Sequence, residues 1–310
     1  MLFPTSKITL NVVRVTTLVV VLAAVLSGCS TNPARKFADI HIHYNFSQEE
    51  VTTPKQAIAV LKKHNIAYAV VSSEPTDYAV KLAEQGGPWI IPFASPYYKA
   101  GNKLTWYRDK KLVNELRKLL LTGKYKGIGE LHLTAGLGPR PTNKVLVGIL
   151  KLAQEFKLPF LIHIDSSDHR YMQYFCKKYP DIRFIWAHAG GYLVPEKIHP
   201  LMQACSNVWL DLAARDPWHY GGLTSHNNKL TPAWRALMIK YQNKIMTGTD
   251  PVWNAQQAYR WYEADEGWNH YEKFIKFHRH WLSQLPPQVA EKIRLSNAVA
   301  FFGIKDKRSP

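Results

Sequence analysis

Six side chains of metal-ligand type each stand where a short apolar run ends. They are His41 and His43 in Asp39-Ile40-His41-Ile42-His43, Glu130 in Gly127-Ile128-Gly129-Glu130, His163 in Leu161-Ile162-His163, His188 in Trp186-Ala187-His188-Ala189-Gly190-Gly191, and Asp250 in Thr247-Gly248-Thr249-Asp250-Pro251. Side chains alternate faces along a strand, so His-x-His turns both imidazoles to one side and makes a bidentate clamp. Neutral imidazole beside Asp or Glu oxygens suits zinc, manganese or iron rather than calcium. A single histidine at a strand end is usually structural. Four histidines and two carboxylates recurring at separate strand ends point instead to a centre for one or two divalent ions, with zinc the first expectation.

Such a set needs a frame that gathers distant strand ends. From Phe37 onward, apolar runs near 37–42, 67–72, 89–93, 125–129, 159–163, 183–187, 207–211 and 244–248 alternate with amphipathic stretches near 54–64, 76–86, 109–122, 143–156, 168–178, 195–204 and 232–242. Leu112, Leu116, Leu119 and Leu120 illustrate the helical spacing. The alternation predicts an α/β fold, a (β/α)8 TIM barrel over residues 37–304 with a polar tail at 305–310. An open doubly wound sheet would carry a Gly-rich phosphate loop after its first strand, and none is present. Chemistry in such barrels gathers at the C-terminal strand ends, where all six candidates fall. The segment 212–243 exceeds what a barrel loop and helix require, and 251–285 carries Trp253, Trp261, Trp268 and Trp281. Either segment could wall a pocket, although aromatic-rich stretches usually pack as core.

Residues 1–28 contain Lys7 and Arg14 but no acid, then an apolar stretch from Val15 to Leu26 and the sequence Leu26-Ser27-Gly28-Cys29. The order of basic, apolar and small residues is that of a secretory signal peptide, with an apolar core short for a membrane span. Leu-Ser-Gly-Cys resembles the bacterial lipobox, which implies lipidation at Cys29, a linker through residue 36 and, with Ser30 following, sorting to the outer membrane facing the periplasm. Plain secretion or an uncleaved anchor are the alternatives. Without residues 1–28 the formal charge falls from +17 to +15. That balance favours anionic surfaces such as lipid headgroups, lipopolysaccharide phosphates or acidic wall polymers, with much of it simply solvated. It does not indicate nucleic acid, because Lys and Arg are scattered and no nucleic-acid motif accompanies them. Cys176 and Cys205 lie in separate helical stretches and in no close pair, so two buried thiols are expected rather than a disulfide or a zinc site.

The layout resembles the amidohydrolase superfamily, in particular its amidohydrolase-2 branch of hydrolases and decarboxylases. Asp39-x-His41-x-His43 resembles the first-strand signature, His163 and His188 the histidines of strands five and six, Asp250 the last-strand aspartate, and Ser296-Asn297-Ala298 the start of the C-terminal helix. Many two-metal members carry a carbamylated lysine on strand four, where this chain has Glu130; the resemblance therefore leaves the number of ions open. His132 lies two residues beyond Glu130 and could be a spare ligand or a hydrogen-bonding, substrate-facing group. The resemblance implies a metal-dependent hydrolase in which activated water cleaves an amide, ester, lactone or phosphoester. Asp250 would move the proton and His188 would polarise the substrate oxygen. Decarboxylation of an aromatic acid at the same site is the second reading, and a non-catalytic envelope-binding lipoprotein the third. Arg215, after strand seven in Ala214-Arg215-Asp216-Pro217-Trp218, is a candidate grip for a substrate carboxylate or phosphate, or else a surface salt bridge.

Overall fold

The alternation of strands and helices is realised as eight parallel strands hydrogen-bonded in sequence order: β1 Phe37–His43, β2 Ile66–Ser72, β3 Ile90–Ala94, β4 Gly127–Thr134, β5 Phe160–Asp165, β6 Phe184–Trp186, β7 Val208–Asp211 and β8 Ile245–Met246. This computed structural model describes residues 36–134, 138–165, 168–252 and 264–304. The expected signal segment, Cys29, the tail after residue 304, and Trp253 and Trp261 lie outside them. Helices Pro54–Lys63, Asp77–Gly86, Leu112–Leu121, Lys144–Glu155, Arg170–Lys178, Pro195–Ala204 and Pro232–Lys240 follow the first seven strands, and Tyr271–Leu282 packs after the eighth. Several begin on signals visible in the sequence. Thr53 and Thr231 cap helices whose first residue is a proline, and Asn143 accepts from the amides of Val145 and Leu146.

β8 is only two residues long, yet the ring closes through it. Ile40 N donates to Thr247 O at 3.0 Å, and Asp250 N donates to His41 O at 2.8 Å. The chain is thus a (β/α)8 TIM barrel. Ala38, Ile40, Val70, Phe93, Leu161, Ile185 and Met246 fill its interior, stoppered by Ala298 and Phe301 of the C-terminal helix Asn297–Phe302. Asn297 ties that helix to β8 by donating to Ile245 O at 2.7 Å. A larger apolar layer lies between the strands and the outer helices and includes Trp268 and Trp281, so these two tryptophans are core.

The expectation of two separate thiols is corrected. Cys176 and Cys205 form a disulfide across a Cα separation of 6.0 Å. Successive strand–helix units set the helices Arg170–Lys178 and Pro195–Ala204 side by side, which brings together residues that sequence spacing had kept apart.

Candidate metal centre

His41 and His43 point into the barrel mouth from β1 as period-two alternation requires, and Glu130, His163, His188 and Asp250 meet them there. Backbone irregularities put them in place. The β1 register shifts between Asp39 and Ile42 and the β4 register between Ile128 and Leu131, re-aiming the side chains between those positions. His188, Ala214 and Asp250 adopt left-handed φ of 54°, 53° and 51°, a conformation costing a non-glycine residue about 1–3 kcal/mol and common at functional sites. Gly248 is required for contact: a Cβ there would meet His41 Cβ at 2.6 Å. The Gly129–Glu130 peptide is cis, and the Ser72 hydroxyl bridges it, accepting from Glu130 N at 2.5 Å and donating to Gly129 O at 2.6 Å.

Glu130 divides the inward-facing atoms into two groups. Its Oε2 lies 3.4 Å from His41 Nε2 and 3.0 Å from His43 Nε2, and the latter is 3.5 Å from Asp250 Oδ1. Its Oε1 lies 2.9 Å from His163 Nδ1 and 3.4 Å from His188 Nε2, and the latter is 3.9 Å from Asp250 Oδ2. Two ligands each about 2.0–2.1 Å from a tetrahedral ion lie about 3.3 Å apart, so the spacing within each group suits one ion. Asp250 Oδ1 is buried with no hydrogen-bond partner among the described residues, as suits a ligand atom aimed at a cation.

The outward nitrogen of every one of these histidines is engaged. His41 Nδ1 meets Asp211 Oδ2 at 2.5 Å, His43 Nδ1 meets Ser72 O at 3.0 Å, His188 Nδ1 meets Ala213 O at 2.9 Å, and His163 Nε2 meets Asp165 Oδ2 at 2.9 Å. Each acceptor draws the ring proton outward and leaves a lone pair facing the centre, the arrangement that orients metal-binding imidazoles. Electrostatics agree. Burial alone would raise the pKa of Glu130, but His132, His41 and His163 hold it well below the carboxylate range. Asp250 is likewise kept low, against burial, by His41, His43 and His188. His41 and His163 show the reverse: burial pushes them down, yet Glu130 and neighbouring aspartates hold His41 well above its usual value and His163 at about 9. A cation at this centre must therefore displace protons.

His132 also joins the cluster. Tyr97 OH accepts from His132 N at 2.9 Å and lies within hydrogen-bond distance of Nδ1, at 2.7 Å. His132 Nε2 lies 3.2 Å from Glu130 Oε2, close enough to donate to it or, with Glu130 and His163, to face an ion. Burial pushes its pKa well below the usual histidine value.

Arg215 corrects another expectation. It is 2% exposed and does not line the cavity. Its guanidinium donates to His188 O at 2.8 Å, to Ala189 O at 3.2 Å and to Leu193 O at 2.6 Å, and it lies over Trp234. It neither grips substrate nor forms a surface salt bridge; it fixes the loop that carries His188. The sequence reading missed Asp211, Asp165, Tyr220 and the buried brace in which Asp39 accepts from Thr249 Oγ1 at 2.6 Å and Tyr271 OH at 2.8 Å. Only the position of Asp211 at the end of β7 and of Asp165 two residues after His163 could have signalled them.

Above the centre is a cavity of about 350 Å³ lined by Asn45, Lys103, His132, Asp165, Tyr192, His219 and Tyr220 as well as the ligand-type residues other than His41. Among solved structures, the fold is similar to a probable 2-pyrone-4,6-dicarboxylic acid hydrolase from Acinetobacter baumannii (TM-score 0.55, 15% identity, 87% of this chain and 100% of that one). It is also similar to an amidohydrolase from Burkholderia multivorans with bound zinc (0.54, 11%, 87% and 99%) and to 2,6-dihydroxybenzoate decarboxylase (0.52, 10%, 86% and 100%). At these identities the likeness is one of fold. No curated protein matches the sequence. The amidohydrolase family model matches residues 38–304, nearly the whole described barrel, and the chain belongs to that family.

Proposed function

We propose that this protein is a metal-dependent hydrolase that uses activated water to cleave an amide, ester, lactone or phosphoester. The carrying observation is the outward tethering of all four histidines around two ionised carboxylates. The donor set favours zinc, and the two oxygens of Glu130, each facing its own pair of imidazoles, favour two ions. When bound, such ions acidify water and polarise a carbonyl or phosphoryl oxygen. Asp250, whose Oδ1 makes no hydrogen bond among the described residues, takes the water proton. His188 has one nitrogen on Ala213 O and the other facing Glu130, which supports a ligand role beside the oxygen-polarising one expected from the sequence.

The test is elemental analysis of the full-length protein beside a His41→Ala, His43→Ala variant, with a panel of nitrophenyl esters, phosphodiesters and lactones. Two zinc equivalents, reduced in the variant together with turnover, are expected. A folded protein that takes up no metal would favour a binding role, and carbon dioxide released from an aromatic acid would favour the decarboxylase reading.

We also infer that Cys29 bears lipid and tethers the barrel to the outer membrane, on the periplasmic side. Leu26-Ser27-Gly28-Cys29 supports this, the basic surface suits anionic envelope polymers, and the Cys176–Cys205 bond suits an oxidising compartment. Palmitate labelling should be lost in Cys29→Ser, and the protein should leave the membrane fraction; unchanged fractionation would refute the tether.

A further inference from the structure

After β7, Asp216-Pro217-Trp218-His219-Tyr220 brings to the cavity an acid–imidazole pair that the ligand set does not use. Asp216 is fully buried, and both its carboxylate oxygens lie 3.0 Å from His219 Nδ1. The pair is held from several sides. Asp216 Oδ1 also accepts from Trp218 N at 2.9 Å, the Asp216 carbonyl accepts from the amides of His219 and Gly221, and the imidazole packs 5.4 Å from the Phe274 ring. An acceptor at Nδ1 keeps a proton there, so Nε2 is the position free to exchange one. The side chain is only 9% exposed, and Nε2 is buried, makes no hydrogen bond of full geometry among the described residues and has the Val252 backbone as its nearest acceptor, on the wall of the cavity that His219 shares with Asp250 and Tyr220. A substrate atom in the cavity would give Nε2 a better-aligned partner. Burial pushes the ring's pKa down, but Asp216, more remotely Asp250, and the Val252 backbone hold it above the usual histidine value.

We propose that His219, oriented by Asp216, donates the proton to the leaving group in the hydrolysis proposed above, on which this inference rests. Water yields one proton to the Asp250 carboxylate as its oxygen bonds to the acyl or phosphoryl centre. The bond to the leaving heteroatom breaks with both electrons going to that heteroatom, which takes the Nε2 proton of His219. Once product has gone, the proton on Asp250 restores the imidazolium by way of solvent. One water is consumed and nothing is oxidised or reduced. Asp250 therefore serves the attacking side and His219 the departing side.

The test compares 4-nitrophenyl acetate, whose leaving group needs no proton, with ethyl acetate, whose leaving group does. Zinc-loaded full-length protein and His219→Gln are assayed on both, with zinc content measured in each sample. The variant should lose about 10²–10⁴-fold on the ethyl ester and stay within about fivefold on the nitrophenyl ester, at unchanged zinc content. Equal losses on both esters, or none on either, overturn the proposal. Nitrogen NMR of the histidine rings gives a readout without turnover. The His219 Nε2 resonance should move when acetate is added, and Asp216→Asn should abolish the preference for a proton on Nδ1. An Nε2 resonance indifferent to acetate also overturns it. If the zinc-loaded protein cleaves neither ester while acetate still moves His219 Nε2, the hydrolase reading fails and His219 stands as a ligand-facing group.

Discussion

Asp211→Asn should weaken metal binding without touching a ligand. Asp211 is completely buried, with Oδ2 2.5 Å from His41 Nδ1 and Oδ1 accepting from Ala213 N at 2.8 Å. Asparagine has the same shape but one acceptor end. If its oxygen serves Ala213 N, its NH2 faces His41 and forces the ring proton onto Nε2, the atom that faces Glu130 Oε2 at 3.4 Å. If it flips, two donors collide at Ala213. A charge-assisted buried hydrogen bond is worth about 1.5–3 kcal/mol. Orienting partners of metal-bound histidines typically contribute about 10–100-fold in affinity, an equivalent range. The zinc Kd should therefore rise by that factor at pH 8. At pH 6 the change should shrink, because Asp211 is one of the carboxylates that hold His41 protonated against burial, and removing it relieves proton competition. Equilibrium dialysis against graded chelator, with thermal melts to confirm folding, measures both numbers. A variant that binds zinc as tightly as the parent at pH 8 would show that His41 is not a ligand or that Asp211 does not set its tautomer, and the tethering argument would fall.

Glu130→Gln removes the charge shared by the two groups of ligands and should lower the zinc content from two equivalents to one or none; two retained equivalents would exclude a bridging carboxylate. Arg215→Lys cannot reproduce three hydrogen bonds to loop carbonyls and should cost about 2–4 kcal/mol by denaturant unfolding. An unchanged midpoint would show that the clamp on the His188 loop is dispensable. His278 lies fully buried in the helix Tyr271–Leu282, its pKa lowered to about 4 by burial. Its neutral form is favoured in the fold, so its contribution to stability is intact above about pH 6.5 and is lost as pH falls towards 4, by up to about 3 kcal/mol. His278→Leu should flatten the stability profile in that window; an unaltered profile would assign acid sensitivity elsewhere.

The strands and the seven helices between them were legible because each carries its own period, and the ligand-type residues because they end those strands. Partners set by closure of the barrel were not legible. Asp211 ends an apolar run as Asp250 does, but nothing local shows that it will face His41, 170 residues away. Arg215 looked available because charge alone was visible, whereas its surroundings are loop carbonyls that only the folded chain assembles. The disulfide joins helices whose adjacency follows from barrel order, and cysteine spacing carries no trace of it. The helix Tyr271–Leu282 was obscured by aromatic residues that serve as core on its buried face.

The seam between β1 and the end of β8 also orders events in time. His41 and His43 are among the first barrel residues to be synthesised and Asp250 among the last ligands, and the hydrogen bonds from Ile40 to Thr247 and from Asp250 to His41 join the two ends of the ring. A growing chain holds only fragments of the candidate ligand set. The candidate site therefore comes into being only when the two ends of the chain's barrel meet, and no part of it is complete before that closure.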